Sequence, residues 1–210
     1  MEKKLKNEYY QISIGILFFL FCSCSKKEKN HFIIKLPYYS SQIEIEGLKE
    51  FDTLVSWEWY NDNMADDRKC YRIQNSELGV VMENGMLPKR AEQTNQMTIK
   101  IPIKPNEFGK LNINKWLLHK KEMYSEEHPA YKFPVIDSMT IDGRKFGILS
   151  IEREYTDEYR IEVFYGTNIN NEEIVFEFLT NTHKPDSFYI KTLNSMKTIK
   201  IKPTANTVYN

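Results

Sequence analysis

Glycine and cysteine are both scarce, eight of the first and three of the second in 210 residues. So few glycines leave little material for a loop that cradles phosphate, and no phosphate-binding glycine motif occurs. A G-x-S-x-G elbow, an H-E-x-x-H helix and a C-x-x-C pair are also missing. Sequence support is therefore absent for an elbow-type hydrolase, a zincin or a dithiol redox centre. No run of about 20 apolar residues is present, the length a helix needs to cross a hydrocarbon core. Lysine plus arginine equals aspartate plus glutamate, at 29 each. With no polybasic block in the body of the chain, nucleic acid is not an expected partner. There is no internal repeat and no low-complexity tract.

What is present begins at the N-terminus. Lys3, Lys4 and Lys6 make a positive start, and Ile12 to Phe21 is an almost wholly apolar stretch of signal-peptide length. Phe21-Cys22-Ser23-Cys24 follows, then the polar run Ser25 to Asn30 with three lysines. An ordinary secretory signal and an uncleaved anchor are the alternatives for such a segment. The small residue before a cysteine favours a third reading.

Phe21 to Cys24 resembles the lipobox of bacterial lipoprotein precursors. The resemblance implies cleavage after Ser23 and a lipid on the thiol of Cys24. Cys22 fits less well, because bulky Phe21 would then precede the cleaved bond. It implies a signal peptide over 1–23, a polar tether over 24–30 and a three-chain anchor. One acyl chain binds only reversibly, and each buried methylene contributes about 0.8 kcal/mol, so three chains hold firmly. Each tether lysine adds about 1 kcal/mol against anionic headgroups. The basic tether favours a domain on the outer membrane facing the periplasm. Residues 1–23 carry three lysines and two glutamates, so their loss shifts the formal charge from zero to about −1.

If Cys22 leaves with the signal and Cys24 carries lipid, Cys70 is the one free thiol, and no disulfide can form within the chain. Cys70 lies in Lys69-Cys70-Tyr71-Arg72-Ile73, a strand pattern, and reads as a buried, inert thiol.

Strand patterns dominate the remainder. Phe51, Val55, Trp57 and Trp59 alternate onto one face and read as core. Ile99, Ile101 and Ile103 alternate likewise, and Pro102, which has no backbone donor, assigns that strand to a sheet edge. Residues 135–141, 146–153, 158–165 and 173–179 read as a four-stranded meander, with Asp142-Gly143 as a tight hairpin turn. The fourth strand is apolar on both faces apart from Glu177, which predicts a central place. A helix capped by Asn112 or Asn114 runs to about Glu127 and buries Ile113, Trp116, Leu117 and Met123 or Tyr124. A second starts at Pro185, with Asp186 in its first turn and Tyr189, Leu193 and Met196 as its stripe. A short strand over 198–203 and a frayed tail over 204–210 close the chain.

The expected fold class is α+β: an antiparallel sheet flanked by two helices, in one domain over 31–203. This order resembles the PsbP/Mog1-type α/β sandwich. The resemblance is carried by Phe32-Ile33-Ile34-Lys35-Leu36-Pro37 as an opening strand and Asn194-Ser195-Met196-Lys197-Thr198-Ile199 as a closing helix-to-strand step. Residues 38–95 fit that pattern poorly and read as an extra hairpin layer. Proteins of this fold serve unrelated roles, so it implies no activity.

Three functions are weighed. Protein binding in the cell envelope, of the assembly-accessory or toxin-immunity type, follows from the anchor and the missing catalytic set. Glycan or small-ligand binding would use Tyr38, Tyr39 and Tyr60, aromatic residues in loop-like surroundings. A hydrolase would use Glu152, Glu154 and Glu162, which alternation and pairing would bring together, although the nearby arginines favour plain cross-strand ion pairs. His119 and Glu122 lie three apart on the first helix, but two ligands without a second pair make a solvated helix surface rather than a metal site. No cofactor and no metal are expected, and the domain is read as non-catalytic.

Overall fold

The computed structural model describes residues 30–36, 39–59, 67–75, 95–103, 112–154, 159–169, 172–181 and 184–204. Among these residues the fold is α+β, with antiparallel sheets of three and seven strands and two helices. The strands are β1 (His31–Leu36), β2 (Ser41–Glu46), β3 (Thr53–Trp59), β4 (Arg68–Gln74), β5 (Gln96–Pro102), β6 (Ile136–Ile141), β7 (Arg144–Glu154), β8 (Tyr159–Ile169), β9 (Glu172–Thr180) and β10 (Lys200–Pro203). The helices are α1 (Ile113–Glu127) and α2 (Pro185–Met196). The large sheet has the order β3-β4-β5-β9-β8-β7-β6, and the small one β1-β2-β10.

The meander forms as its turn chemistry requires. Asp142 and Gly143 have φ of 49° and 74°, the left-handed pair that a tight primed turn needs. β6 to β9 then pair in sequence, but they make up only four of seven strands. β9 is central, between β5 and β8, as its two apolar faces predict.

β5 corrects an expectation. It is not an edge strand but sits between β4 and β9. Its pairing with β9 ends at Lys100 opposite Val175, so Pro102 lies beyond the ladder on that side and its missing donor costs nothing there. The residues expected as an extra hairpin layer are also redistributed. β2 joins the small sheet, while β3 and β4 extend the large one. Phe51 is fully buried, but it precedes β3. Val55 and Trp57 are half-exposed at the sheet edge rather than core.

The main core lies between the two sheets. Ile34, Leu36, Ile43 and Ile45 of the small sheet meet Ile99, Phe146, Ile148, Val163, Phe176 and Phe178 of the large one, with Phe188 and Met196 of α2 beside them. Each such side chain contributes about 1.5–3 kcal/mol on burial. Tyr165 is also fully buried, and its hydroxyl bonds Thr192 Oγ1 of α2 at 2.8 Å. The stripe of α2 is rotated slightly from expectation. Phe188, Thr192, Ser195 and Met196 are buried, while Tyr189 and Leu193 are only partly so. Tyr71 donates to the Lys35 carbonyl at 3.2 Å, while Lys200 at the opposite end of the small sheet pairs with Asp142 of the β6–β7 turn.

The outer face of the large sheet carries α1. Asn112 caps it by accepting from the backbone N–H of Asn114 and Lys115, each at 3.1 Å. Ile113, Trp116 and Leu117 pack on Leu149, Ile151 and Phe164. Trp116 lies over Gly147 and Gly166, which face each other across β7 and β8. Among the described residues no helix is long and apolar enough to cross a membrane.

Candidate functional site

The large sheet's outer face, beside α1, concentrates the unusual chemistry of this fold. Pairing aligns Val55, Arg72, Thr98, Glu177 and Phe164 in one row across five strands. Alternation places Lys100 and Glu162 on the same face. Arg72 is 8% exposed, its guanidinium lies 4.7 Å over the Trp57 ring, and its Nε donates to Thr98 Oγ1 at 3.3 Å. Lys100 forms an ion pair with Glu177. Burial opposes the Lys100 ammonium, but the Glu177 carboxylate outweighs it and holds the pKa above the ordinary value.

Glu162 is the most buried acid in this group, at 4% exposure. Arg153 Nη2 donates to it at 2.5 Å, and Arg160 Nε stands 3.3 Å from its other oxygen. Burial, then the charge of Glu177, push the Glu162 carboxyl up against the pull of both arginines. Arg153 also sits between two aromatic rings, 4.6 Å from Tyr131 and 5.6 Å from Tyr124. This lattice joins α1, the loop after it and β8 through charge and cation–π contacts.

The three carboxylates proposed for a hydrolase are separated. Ile151 pairs with Glu162 and Glu152 with Ile161, so Glu162 points to the face opposite Glu152 and Glu154. Pleating decides this, because neighbours along a strand alternate sides. Glu152 accepts from the Tyr159 hydroxyl at 2.7 Å, and Glu154 stands 3.9 Å from Lys132. Each carboxylate thus has its own structural partner.

Tyr39 is not a surface aromatic. It is 4% exposed, and its hydroxyl donates to the Pro102 carbonyl at 2.9 Å, locking the β1–β2 turn to the end of β5. Burial first, then Glu172, push its phenol well above the ordinary range. A buried tyrosine needs such an acceptor, and that need removes it from a ligand platform. Tyr38, Tyr60 and Cys24 lie outside the described residues. Cys70 is buried, and burial pushes its thiol up. His119 and Glu122 are exposed. Among the described residues no group of three or more metal-ligating side chains converges.

Among the described residues, concave regions stand out that the sequence did not mark. One, of about 350 Å³, lies beside the start of α2 between Asn95, Thr180, Asn181, Ser187, Phe188 and Lys191. The other, of about 500 Å³, opens beside the start of α1 between Asn112, Arg144, Lys145, Thr167 and Asn168. Both are assembled from residues far apart in sequence, so no local pattern announces them. From sequence, Arg153 reads only as one of the arginines available for cross-strand pairing; its stacking on Tyr124 and Tyr131 depends on how α1 and the following loop pack.

No family model matches this chain, and no curated protein matches it significantly. Solved structures give partial likenesses. A crystal structure from Bacteroides thetaiotaomicron aligns with a TM-score of 0.38 and 8% identity, over 75% of this chain and 44% of that one. A Pseudomonas aeruginosa protein of unknown function aligns with a TM-score of 0.36 and 8% identity, over 80% of this chain and 95% of that one. The chain thus spans less than half the length of the Bacteroides protein.

Proposed function

We propose that this chain is a lipid-anchored, non-catalytic domain that binds a protein partner in the bacterial cell envelope, as an assembly accessory or a toxin-immunity protein. The observation that carries the anchor is the order of Ile12 to Phe21, Ser23, Cys24 and a basic polar tether, followed within seven residues by β1. The reading places the domain on the outer membrane, facing the periplasm, with no cofactor, no metal and no nucleic-acid partner. Its fold is read as a PsbP/Mog1-like sandwich, supported by the closing step from α2 into β10. A binding role, rather than hydrolysis, is supported by the separate partners held by Glu152, Glu154 and Glu162.

The test is processing in a lipoprotein-competent host. Cys24→Ser should abolish acyl labelling and release the protein from membranes, because the apolar run is too short to span and the tether lysines give only a weak, salt-sensitive hold. Cys22→Ser should change neither. The opposite pattern would assign the lipid to Cys22. Retention of both variants on membranes, with no acyl label in wild type, would sink the anchored reading. Crosslinking in envelopes should then recover one specific protein.

A second reading, a small polar ligand, is favoured by the 350 Å³ cavity beside α2. Lys191→Glu and Ser187→Trp would block that space from the exposed side. If neither changes a ligand-induced rise in melting temperature across a panel of sugars and organic acids, the cavity is not the site.

A further inference from the structure

We infer that the outward face of the small sheet lies on an anionic phospholipid surface, with α1 held away from it on the far side of the molecule. This rests on the anchored reading and adds which face meets the bilayer. Asn30 is pinned to the domain: its carbonyl accepts from Gly47 N at 2.8 Å, and its Nδ2 donates to the carbonyls of Leu48 and Lys49. Five residues separate it from Cys24, and the six steps between them span about 20 Å at full stretch. A lipid at Cys24 therefore keeps the β1 layer near the headgroups. α1 lies across the large sheet from that layer, and packed layers stand about 10 Å apart.

The chemistry of the near face fits that surface. Alternation along β1 turns Ile34 and Leu36 inward and leaves His31, Ile33 and Lys35 exposed, with Ile33 at 51% exposure. Lys49 follows β2, and Lys197 follows α2. Ser195 Oγ donates to the carbonyl of Glu46, itself opposite His31 in the register, so the end of α2 adjoins this sheet. Lys35, Lys49 and Lys197 are exposed and form no salt bridge among the described residues. Two acids here are paired with lysines, Glu44 with Lys202 at 2.7 Å and Asp142 with Lys200 at 3.0 Å, while Glu50 accepts from the neutral amide of Asn95. Glu46 also makes its own contacts. Lys35 beside exposed Ile33, with Lys49 and Lys197 by the His31–Glu46 end of the sheet, matches phosphate headgroups over a shallow apolar boundary.

The experiment uses the full acylated protein in vesicles of phosphatidylglycerol and phosphatidylethanolamine with an energy-transfer acceptor on the headgroups. A donor dye is placed at Ile33→Cys or, separately, at Glu126→Cys on α1. Transfer from position 33 should exceed that from position 126 at least twofold. In the triple variant Lys35→Glu, Lys49→Glu, Lys197→Glu the contrast should shrink to what the tether alone imposes, and it should also shrink in phosphatidylcholine vesicles. All three are surface changes, and an unchanged far-ultraviolet spectrum and melting temperature confirm an intact fold. Equal transfer from both positions in the acylated wild type, or greater transfer from 126, overturns the orientation alone. A contrast undiminished in the triple variant overturns the electrostatic contact. A chain with no acyl mass on Cys24 overturns the anchored reading and the orientation with it.

Discussion

Trp116 fills the space that any side chain at residue 166 would need. A Cβ built on Gly166 would stand 2.6 Å from Cζ2 of the indole and 2.7 Å from Cη2. Gly147, directly opposite on β7, opens the other half of the slot. The indole N–H reaches Glu173 Oε1 at 2.6 Å, so the ring is held at its polar edge as well.

Gly166→Ala should therefore destabilise the fold by about 1–3 kcal/mol, the usual cost of forcing atoms into a packed site. The measurement is the urea midpoint at constant slope. Combined with Trp116→Ala, which alone costs about 3–5 kcal/mol, the alanine at 166 should add little, because the clash is gone. Strict additivity of the two changes would contradict the slot.

Glu162→Ala should cost about 3–5 kcal/mol, since it leaves Arg153 and Arg160 without their shared acid in a largely dry site. Replacing all three by apolar residues of similar volume should cost much less than that single change. Chemical denaturation of the two variants decides this, and equal losses would mean that packing rather than charge dominates.

The Asp142–Lys200 contact gives a pH signature. The hydrogen bond from Lys200 comes first among the causes that hold the Asp142 carboxyl below its ordinary value. A depressed acid stabilises the fold above its unfolded pKa, and that contribution disappears as pH falls through the folded value. Asp142→Asn keeps the left-handed turn but removes the charge. The variant should be less stable than wild type at neutral pH by under about 1 kcal/mol, with the gap closing below about pH 4 and at high salt. A gap independent of both would refute the ion-pair origin.

Cys70 should resist an aromatic disulfide reagent in the native protein at neutral pH and react fully in denaturant. Burial keeps it protonated and screened, so the native rate should be slower on the order of 100-fold or more. Fast native labelling would show that β4 opens at little cost.

Local rules carried the meander, its Asp142-Gly143 turn and the Asn112 cap, because each depends on residues next to one another. Tertiary pairing decided the rest. Pro102 reads as an edge marker until the ladder is seen to stop at Lys100. Tyr39 reads as a loop aromatic until the Pro102 carbonyl, 63 residues away, is found above it. Among the carboxylates, the sequence places Glu162 near Glu152, but a register of one residue sends it to the other face. Arg153 follows the same logic: alternating charge signs suggest cross-strand pairing, whereas its partner Glu162 and the two rings around it, from α1 and the loop that follows, come from the packing.

β2 has the first and last strands of the domain as its two neighbours, and the Lys202–Glu44 contact closes a sequence separation of 158 residues. A ribosome must therefore release every residue through β10 before the small sheet is complete, and β2 waits with one side unpaired until β10 arrives. Such long-range closure slows folding relative to local hairpins. Loss of only the few residues Lys200–Pro203 would leave Ile43 and Ile45 under an open edge, so a stop codon just before β10 should yield an aggregation-prone chain rather than a shortened but working domain.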